Sequence, residues 1–239
     1  MRMKGLKSLD VYEHDLPDRV TLKLLKENHL SIDTETGGLD YRKSPLLLVQ
    51  IATISGYVFI IKRPDKDSKN IIKLIQNPVT SLIFHNAAFD LAFLKVGLIA
   101  EPGENTHCTK TLMKIIFPQY SSGLKTSLKH ILNIHLNKNI DHTKWNQQIL
   151  SKRQLEYAAA DVIYLYRLLK VLKTACSPRQ YSIYARAMQA IRFKTLTEVE
   201  GYTDLFGWKK ENLETNQENR LWWNRLLSSK YEEEKNVTM

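Results

Sequence analysis

Three stretches of this 239-residue chain place acidic and phenolic side chains where they can act together. Asp33-Thr34-Glu35 closes an apolar run that leads into Gly37-Gly38. Side chains alternate along a strand, so Asp33 and Glu35 project from one face. Carboxylates held side by side repel, and burying them unpaired is costly. A divalent cation resolves this, because hard cations take carboxylate oxygen. Asp90 ends Phe84-His85-Asn86-Ala87-Ala88-Phe89-Asp90, about one turn into a helix that starts just past a strand. Its neighbours Phe89, Leu91 and Phe93 are apolar and set it at a buried boundary. Tyr157 and Asp161 are four residues apart in a helical segment, on one face, with small alanines between them. Taken singly, each stretch also fits an ordinary role: a solvated turn, a first-turn Asp favoured by the helix dipole, a structural Tyr beside a surface Asp. Taken together, four carboxylates at strand ends and inward helix edges make a ligand set for two divalent ions.

Positioning them requires strands and helices in a definite order. Leu9, Val11 and Tyr12 suggest a short strand, and residues 16–28 a helix with Leu22, Leu24 and Leu25 inward. The strand from Leu30 to Asp33 follows. Residues 46–53 (LLLVQIAT) read as a strand covered on both faces. Gly56 permits a tight turn into a strand over 57–61, a hairpin. Asp67 or Ser68 can cap a helix carrying Ile71, Ile72, Leu74 and Ile75. A strand over 81–84 leads to a helix over 87–96 that Gly97 can end. A short strand over 106–108 and helices over 110–117 and 124–132 come next, and residues 134–148 read as a loop with one aromatic, Trp145. Ser151-Lys152-Arg153-Gln154 fits a capping box. The helix behind it is expected to run to about Thr174, with Leu155, Ala158, Ala159, Val162, Leu165, Leu169 and Leu172 as its buried stripe. Another helix spans 178–196, and the chain beyond Glu232 is expected to fray. Strands come first and helices then dominate, which gives one α/β domain with a helical C-terminal extension.

The formal net charge of +10 favours polyanionic partners. Between Asn105 and Arg153 stand Lys110, Lys114, Lys125, Lys129, Lys138, Lys144, Lys152 and Arg153 against Asp141 alone. An acidic centre beside a basic stretch suits phosphodiester chemistry. No apolar run reaches the ~18–20 residues that span a bilayer, and the basic N-terminus lacks the apolar region of a secretory signal. Cys108 and Cys176 are far apart, which argues against structural zinc and a disulfide framework. No membrane association and a cytoplasmic location are expected.

The order Asp-x-Glu, Asn-x-x-Phe-Asp, Tyr-x-x-x-Asp resembles the DEDD (DnaQ-like) 3′–5′ exonuclease superfamily, tyrosine subclass, and within it short bacterial ribonuclease D enzymes. Residues 48–53, 108–110, 127–128, 144–145 and 150–159 agree as well, so the resemblance covers roughly Ser31 to Leu172. In the histidine subclass the residue at Glu156 would be His. Gln148-Ile149 stand where the family usually has Arg-Pro, and Thr36-Gly37-Gly38 where Thr-Thr-Gly is common. The C-terminal domain of longer ribonuclease D enzymes does not fit in the remaining residues, whereas residues 201–208 (GYTDLFGW) resemble the tail of compact bacterial members.

The resemblance implies a ribonuclease H-like mixed sheet flanked by helices, with an exonuclease domain over residues 1–175 and a helical extension over 176–239. It implies two Mg²⁺ or Mn²⁺ ions per site: Asp33 shared by both, Glu35 and Asp161 on the water-activating ion, and Asp90 on the other, with Tyr157 orienting the attacking water. The expected substrate is RNA or single-stranded DNA with a free 3′ end, releasing 5′-mononucleotides. Thr34, Thr36, Gly37, His85, Asn86, Phe89 and Trp145 are the expected nucleic-acid contacts, with Phe89 and Trp145 as base-stacking candidates. Alternatives are an inactive nucleic-acid-binding module that keeps the fold, and a proofreading exonuclease acting with a polymerase in trans. RNA or DNA preference and oligomeric state are left open.

Overall fold

A computed structural model of the chain describes residue 3 and residues 5–136 and 145–201. Lys138, Asp141 and Lys144 of the basic stretch lie outside the described residues, as does the tail motif beyond Gly201. Residues up to Val199 form one compact unit.

The apolar run Leu46–Thr53 forms a strand, β3, buried along its whole length. It lies inside a six-stranded sheet with β1 (Ser8–Glu13), β2 (His29–Thr36), β4 (Tyr57–Lys62), β5 (Ser81–Phe84) and β6 (Thr106–Cys108), in the order β1-β4-β3-β2-β5-β6. β3 runs antiparallel to β2 and β4, while β1–β4, β2–β5 and β5–β6 are parallel. The β3–β4 hairpin turns at Gly56 (φ +90°), where a Cβ would overlap the Gly5 carbonyl oxygen. The six strands fall along the chain where the sequence reading expects them, and the sheet is mixed as expected.

Helices cover both faces. On one side Leu30, Ile32, Val49, Ile51 and Ile61 join a core built with α1 (Asp18–Leu24), α2 (Lys69–Ile75), α3 (Ala87–Leu98), α4 (Thr109–Ile116), α5 (Leu124–Leu132), α7 (Leu165–Ala175) and α8 (Pro178–Val199). On the other side Leu48, Ala52, Val58 and Ile60 meet Ala158, Ala159 and Val162 of α6 (Lys152–Ile163). The alternation of β3 between these two cores accounts for its unbroken apolar run. α8 is fastened by Tyr184, whose buried hydroxyl accepts the Cys108 N–H at 2.9 Å. Among the described residues, no helix is long and apolar enough to cross a membrane.

Three expectations change. The single helix expected from Lys152 to about Thr174 breaks at Tyr164 (φ −100°, ψ −7°). The apolar spacing runs through the break, yet the two halves serve different cores: α6 packs on β2, β3 and β4, and α7 on β2, β5, α4 and α5. Gly97 does not end α3, which continues to Leu98. A Cβ on Gly97 would lie 2.9 Å from Leu46 Cβ, so glycine permits the close approach of α3 to β3. In α1, Leu24 is buried but Leu22 is 59% exposed, being about 200° away around the helix.

Candidate active site

The site forms where β2 outruns its neighbour. β2 pairs with β5 only at His29, Leu30 and Ser31, whereas its pairing with β3 continues to Thr36, with a register shift after Glu35. Asp33 and Glu35 therefore lie on a strand end that has β3 on one side and no β5 on the other. Alternation puts them on the α6 face, because their partners across the ladder, Gln50 and Leu48, share the face of Ala52. The capping box starts α6 as expected: Gln154 N–H donates to Ser151 Oγ at 3.3 Å, and Ser151 N–H to Gln154 Oε1 at 2.9 Å. The helix so anchored carries Tyr157 and Asp161 over β2. Asp33, Glu35 and Asp161 each offer an oxygen lying within 4.8 Å of the others. Asp161 is buried, and Asp33 and Glu35 are half-buried.

The half-buried Tyr157 hydroxyl bonds Asp161. Burial pushes its pKa well above the usual phenol range, and the charges of Asp161, Glu35 and Asp33 push it further. The phenol thus stays protonated, its hydroxyl bonded to Asp161 and within the field of Glu35 and Asp33.

Asp90 stands apart from that triangle. It is 2% exposed and accepts the Thr34 hydroxyl at 2.8 Å, along with backbone N–H groups of Asp90 and Thr34. α3 thereby fills the edge of β2 that β5 leaves uncovered. Burial raises the Asp90 carboxyl to about 7 despite these hydrogen bonds, and the charge of Asp161 adds to the rise.

Comparison with known proteins places the chain in a family. Residues 10–176 match the family described as 3′-5′ exonuclease. The chain belongs to this 3′–5′ exonuclease family. It is 26% identical over 148 residues to ribonuclease D of Haemophilus influenzae, and 28% identical over 152 residues to DNA polymerase I of Aquifex aeolicus. These stretches cover 62% and 63% of this chain but 37% and 25% of the relatives, so the chain spans only a minor part of either. Among solved structures it is similar to NrnC of Brucella melitensis. The Mg²⁺-bound form has a TM-score of 0.73 at 27% identity, covering 82% of this chain and 96% of that one. The form bound to pGG has 0.71 at 30%, covering 87% and 98%. The fold is thus the expected ribonuclease H-like mixed sheet.

In this member of the family the remaining expected residues divide by what they touch. Thr34 is buried and spends its hydroxyl on Asp90. Trp145 is corrected as a base-stacking candidate: it is 2% exposed, in the core beneath α6, with its ring 5.9 Å from that of Tyr157. It therefore backs the tyrosine and offers no open face to a base. Thr36 donates its hydroxyl to the Gly38 carbonyl at 2.6 Å. A Cβ on Gly37 would lie 2.8 Å from Pro45 Cδ, so this glycine serves the closure of the loop back onto β3. Phe89 is half-buried against Phe93, ring centroids 4.7 Å apart. Asn86 is exposed and holds φ +126°, a costly conformation for a side chain other than glycine, at the start of α3.

Thr109 and Lys110, neither among the expected site residues, brace this turn. His85 Nδ1 lies 2.7 Å from Thr109 Oγ1, which itself donates to the Phe84 carbonyl at 3.2 Å. Lys110 Nζ donates to Asn86 Oδ1 at 3.1 Å. They are 24 residues from their partners, and only the parallel β5–β6 pairing brings them there. The triangle of carboxylate oxygens is an all-oxygen donor set, which fits a hard divalent cation.

Proposed function

We propose that the chain is a metal-dependent 3′–5′ exonuclease that removes 5′-mononucleotides from the 3′ end of RNA or single-stranded DNA. The observation that carries this is the convergence of Asp33, Glu35 and Asp161 under the hydroxyl of Tyr157. Two ions, Mg²⁺ or Mn²⁺, would be held there: Asp33 shared, Glu35 and Asp161 on the side of the attacking water, Asp90 on the other. When bound, such ions supply Lewis acidity at the attacking and leaving oxygens. Tyr157, kept protonated by its surroundings, donates its O–H and fixes the orientation of the water; it cannot serve as the base. Asp90, held by Thr34, is a carboxyl poised near neutrality that gives up its proton as positive charge arrives beside it. In the reaction a water oxygen bonds to phosphorus, the bond to the 3′ oxygen breaks, and that oxygen takes a proton.

Exposed Lys114, Lys125 and Lys129 on α4 and α5 supply positive charge for the nucleic-acid backbone. The similarity to NrnC in its pGG-bound form supports RNA as short as pGG among the substrates. The similarity to part of a DNA polymerase I keeps single-stranded DNA as the competing substrate. A cytoplasmic location is part of the proposal.

The test is side-by-side digestion of pGG, longer RNA, single-stranded DNA and 3′-overhang duplexes with Mg²⁺ or Mn²⁺. Stepwise loss from the 3′ end, abolished by EDTA, is expected. Binding without cleavage would favour an inactive nucleic-acid-binding module, and internal cleavage would contradict the proposal.

A further inference from the structure

Gln50 is the one long polar side chain on its face of β3, between Leu48 and Ala52. It is 0% exposed, and neither Oε1 nor Nε2 has a hydrogen-bond partner. A fully buried amide with both ends unsatisfied is rare, because desolvation then goes uncompensated. Its surroundings are apolar on most sides: Ile60 opposite it on β4, and the helix bearing Ala158 and Ala159 packed over this face. The exception is β2, where the residue directly opposite Gln50 is Asp33. Side chains of directly opposed residues share a face and lie within reach of each other.

We infer that Gln50 is a positioning residue for the metal site, its amide turning onto Asp33 to orient that carboxylate when a divalent cation is bound. Nε2 is the donor and a carboxylate oxygen of Asp33 the acceptor. The amide stays uncommitted in the metal-free fold and finds its partner when charge arrives at the site. Carboxylates that ligate metals are held by such outer hydrogen bonds, and removing one typically lowers metal affinity or activity by about 10–100-fold. The inference rests on the metal-dependent exonuclease proposed above.

The test compares wild type with Gln50→Leu and with Gln50→Met, which keeps the unbranched length. Mn²⁺ affinity is read by calorimetry, kcat and KM on a short RNA, and thermal unfolding in EDTA. Both variants should unfold at or above the wild-type temperature, since an apolar side chain replaces an unsatisfied amide. Both should bind Mn²⁺ about 10–100-fold more weakly and lose kcat with KM little changed. Wild-type Mn²⁺ affinity and kcat in either variant would overturn the inference. So would marked destabilisation of both in EDTA, which would mean that the amide serves the metal-free fold. Failure of the wild type itself to bind Mn²⁺ or cleave would instead refute the exonuclease proposal.

Discussion

Replacing Asp33 by Asn should stabilise the metal-free protein while removing the stabilisation that metal confers. Asp33 shares an oxygen triangle of at most 4.8 Å with Glu35 and Asp161. Two unit charges at that separation repel by about 3.5 kcal/mol at an effective dielectric of 20, and by about 0.9 kcal/mol in water. Asp33 and Glu35 are half-buried, so solvent screening moves the value toward the lower figure. Two pairs relieved at once then give about 2 kcal/mol. At 2–4 °C per kcal/mol for a chain of this size, Asp33→Asn should raise the unfolding temperature in EDTA by roughly 4–8 °C. The wild type should gain about 2.7 kcal/mol from Mn²⁺ at a hundred times its Kd, whereas the variant should gain little. Circular dichroism melts of both proteins, in EDTA and across a Mn²⁺ series, measure the two effects together. A variant less stable than wild type in EDTA would show that the triangle is not repulsive. A variant that keeps the full Mn²⁺ increment would show that Asp33 is not a ligand.

Tyr157→Phe removes the hydroxyl bonded to Asp161 but keeps the ring packed beside Trp145; kcat should fall about a hundredfold or more with RNA affinity nearly unchanged, as single-turnover and binding assays would show. Burial raises Asp90 from an ordinary 3.8 to about 7, so the folded state holds a proton that the unfolded chain releases between those values. Its contribution to stability is complete below pH 4 and is lost as pH rises toward 7. Asp90→Asn, which keeps an acceptor for Thr34, should therefore gain up to about 4 kcal/mol over wild type at pH 8 in EDTA and nothing near pH 4, measured by denaturant unfolding at both pH values. For the same reason Mn²⁺ binding to the wild type should weaken below pH 7 and release a proton, which calorimetry in two buffers of different ionisation enthalpy detects.

Most of the sheet was legible because its strands are short apolar runs bounded by turn residues. Leu46–Thr53 and Ser81–Phe84 stand where the residues put them. The pairing of Asp33 with Glu35 on one face was legible for a simpler reason, the two-residue period of a strand. The capping box of α6 was equally local, a matter of Ser151 and Gln154 alone. What the sequence hid depends on which surface a residue meets. The apolar spacing of Leu155 through Leu172 continues without interruption, so nothing in it marks the break at Tyr164, where the chain passes from the core over β3 and β4 to the core that α7 shares with β2, β5, α4 and α5. Trp145 follows a polar loop in the sequence, and only the fold buries it under Tyr157. Thr34 faces away from Asp33 and Glu35 along the strand; its hold on Asp90 arises because β5 ends its pairing at Ser31 and α3 occupies the edge beyond. Gln50 read as one more position in a buried strand, and its unsatisfied amide became visible only once its register opposite Asp33 was known.

The most direct test of the carboxylate triangle as a hydrolytic centre follows a 5′-labelled RNA oligonucleotide over time, with wild type and Asp33→Asn, in Mn²⁺ and in EDTA. Wild type in Mn²⁺ should give a ladder shortening one nucleotide at a time from the 3′ end, and the other three reactions should leave the RNA intact. Undiminished cleavage by Asp33→Asn, or by wild type in EDTA, would contradict a metal-dependent centre built on Asp33, Glu35 and Asp161.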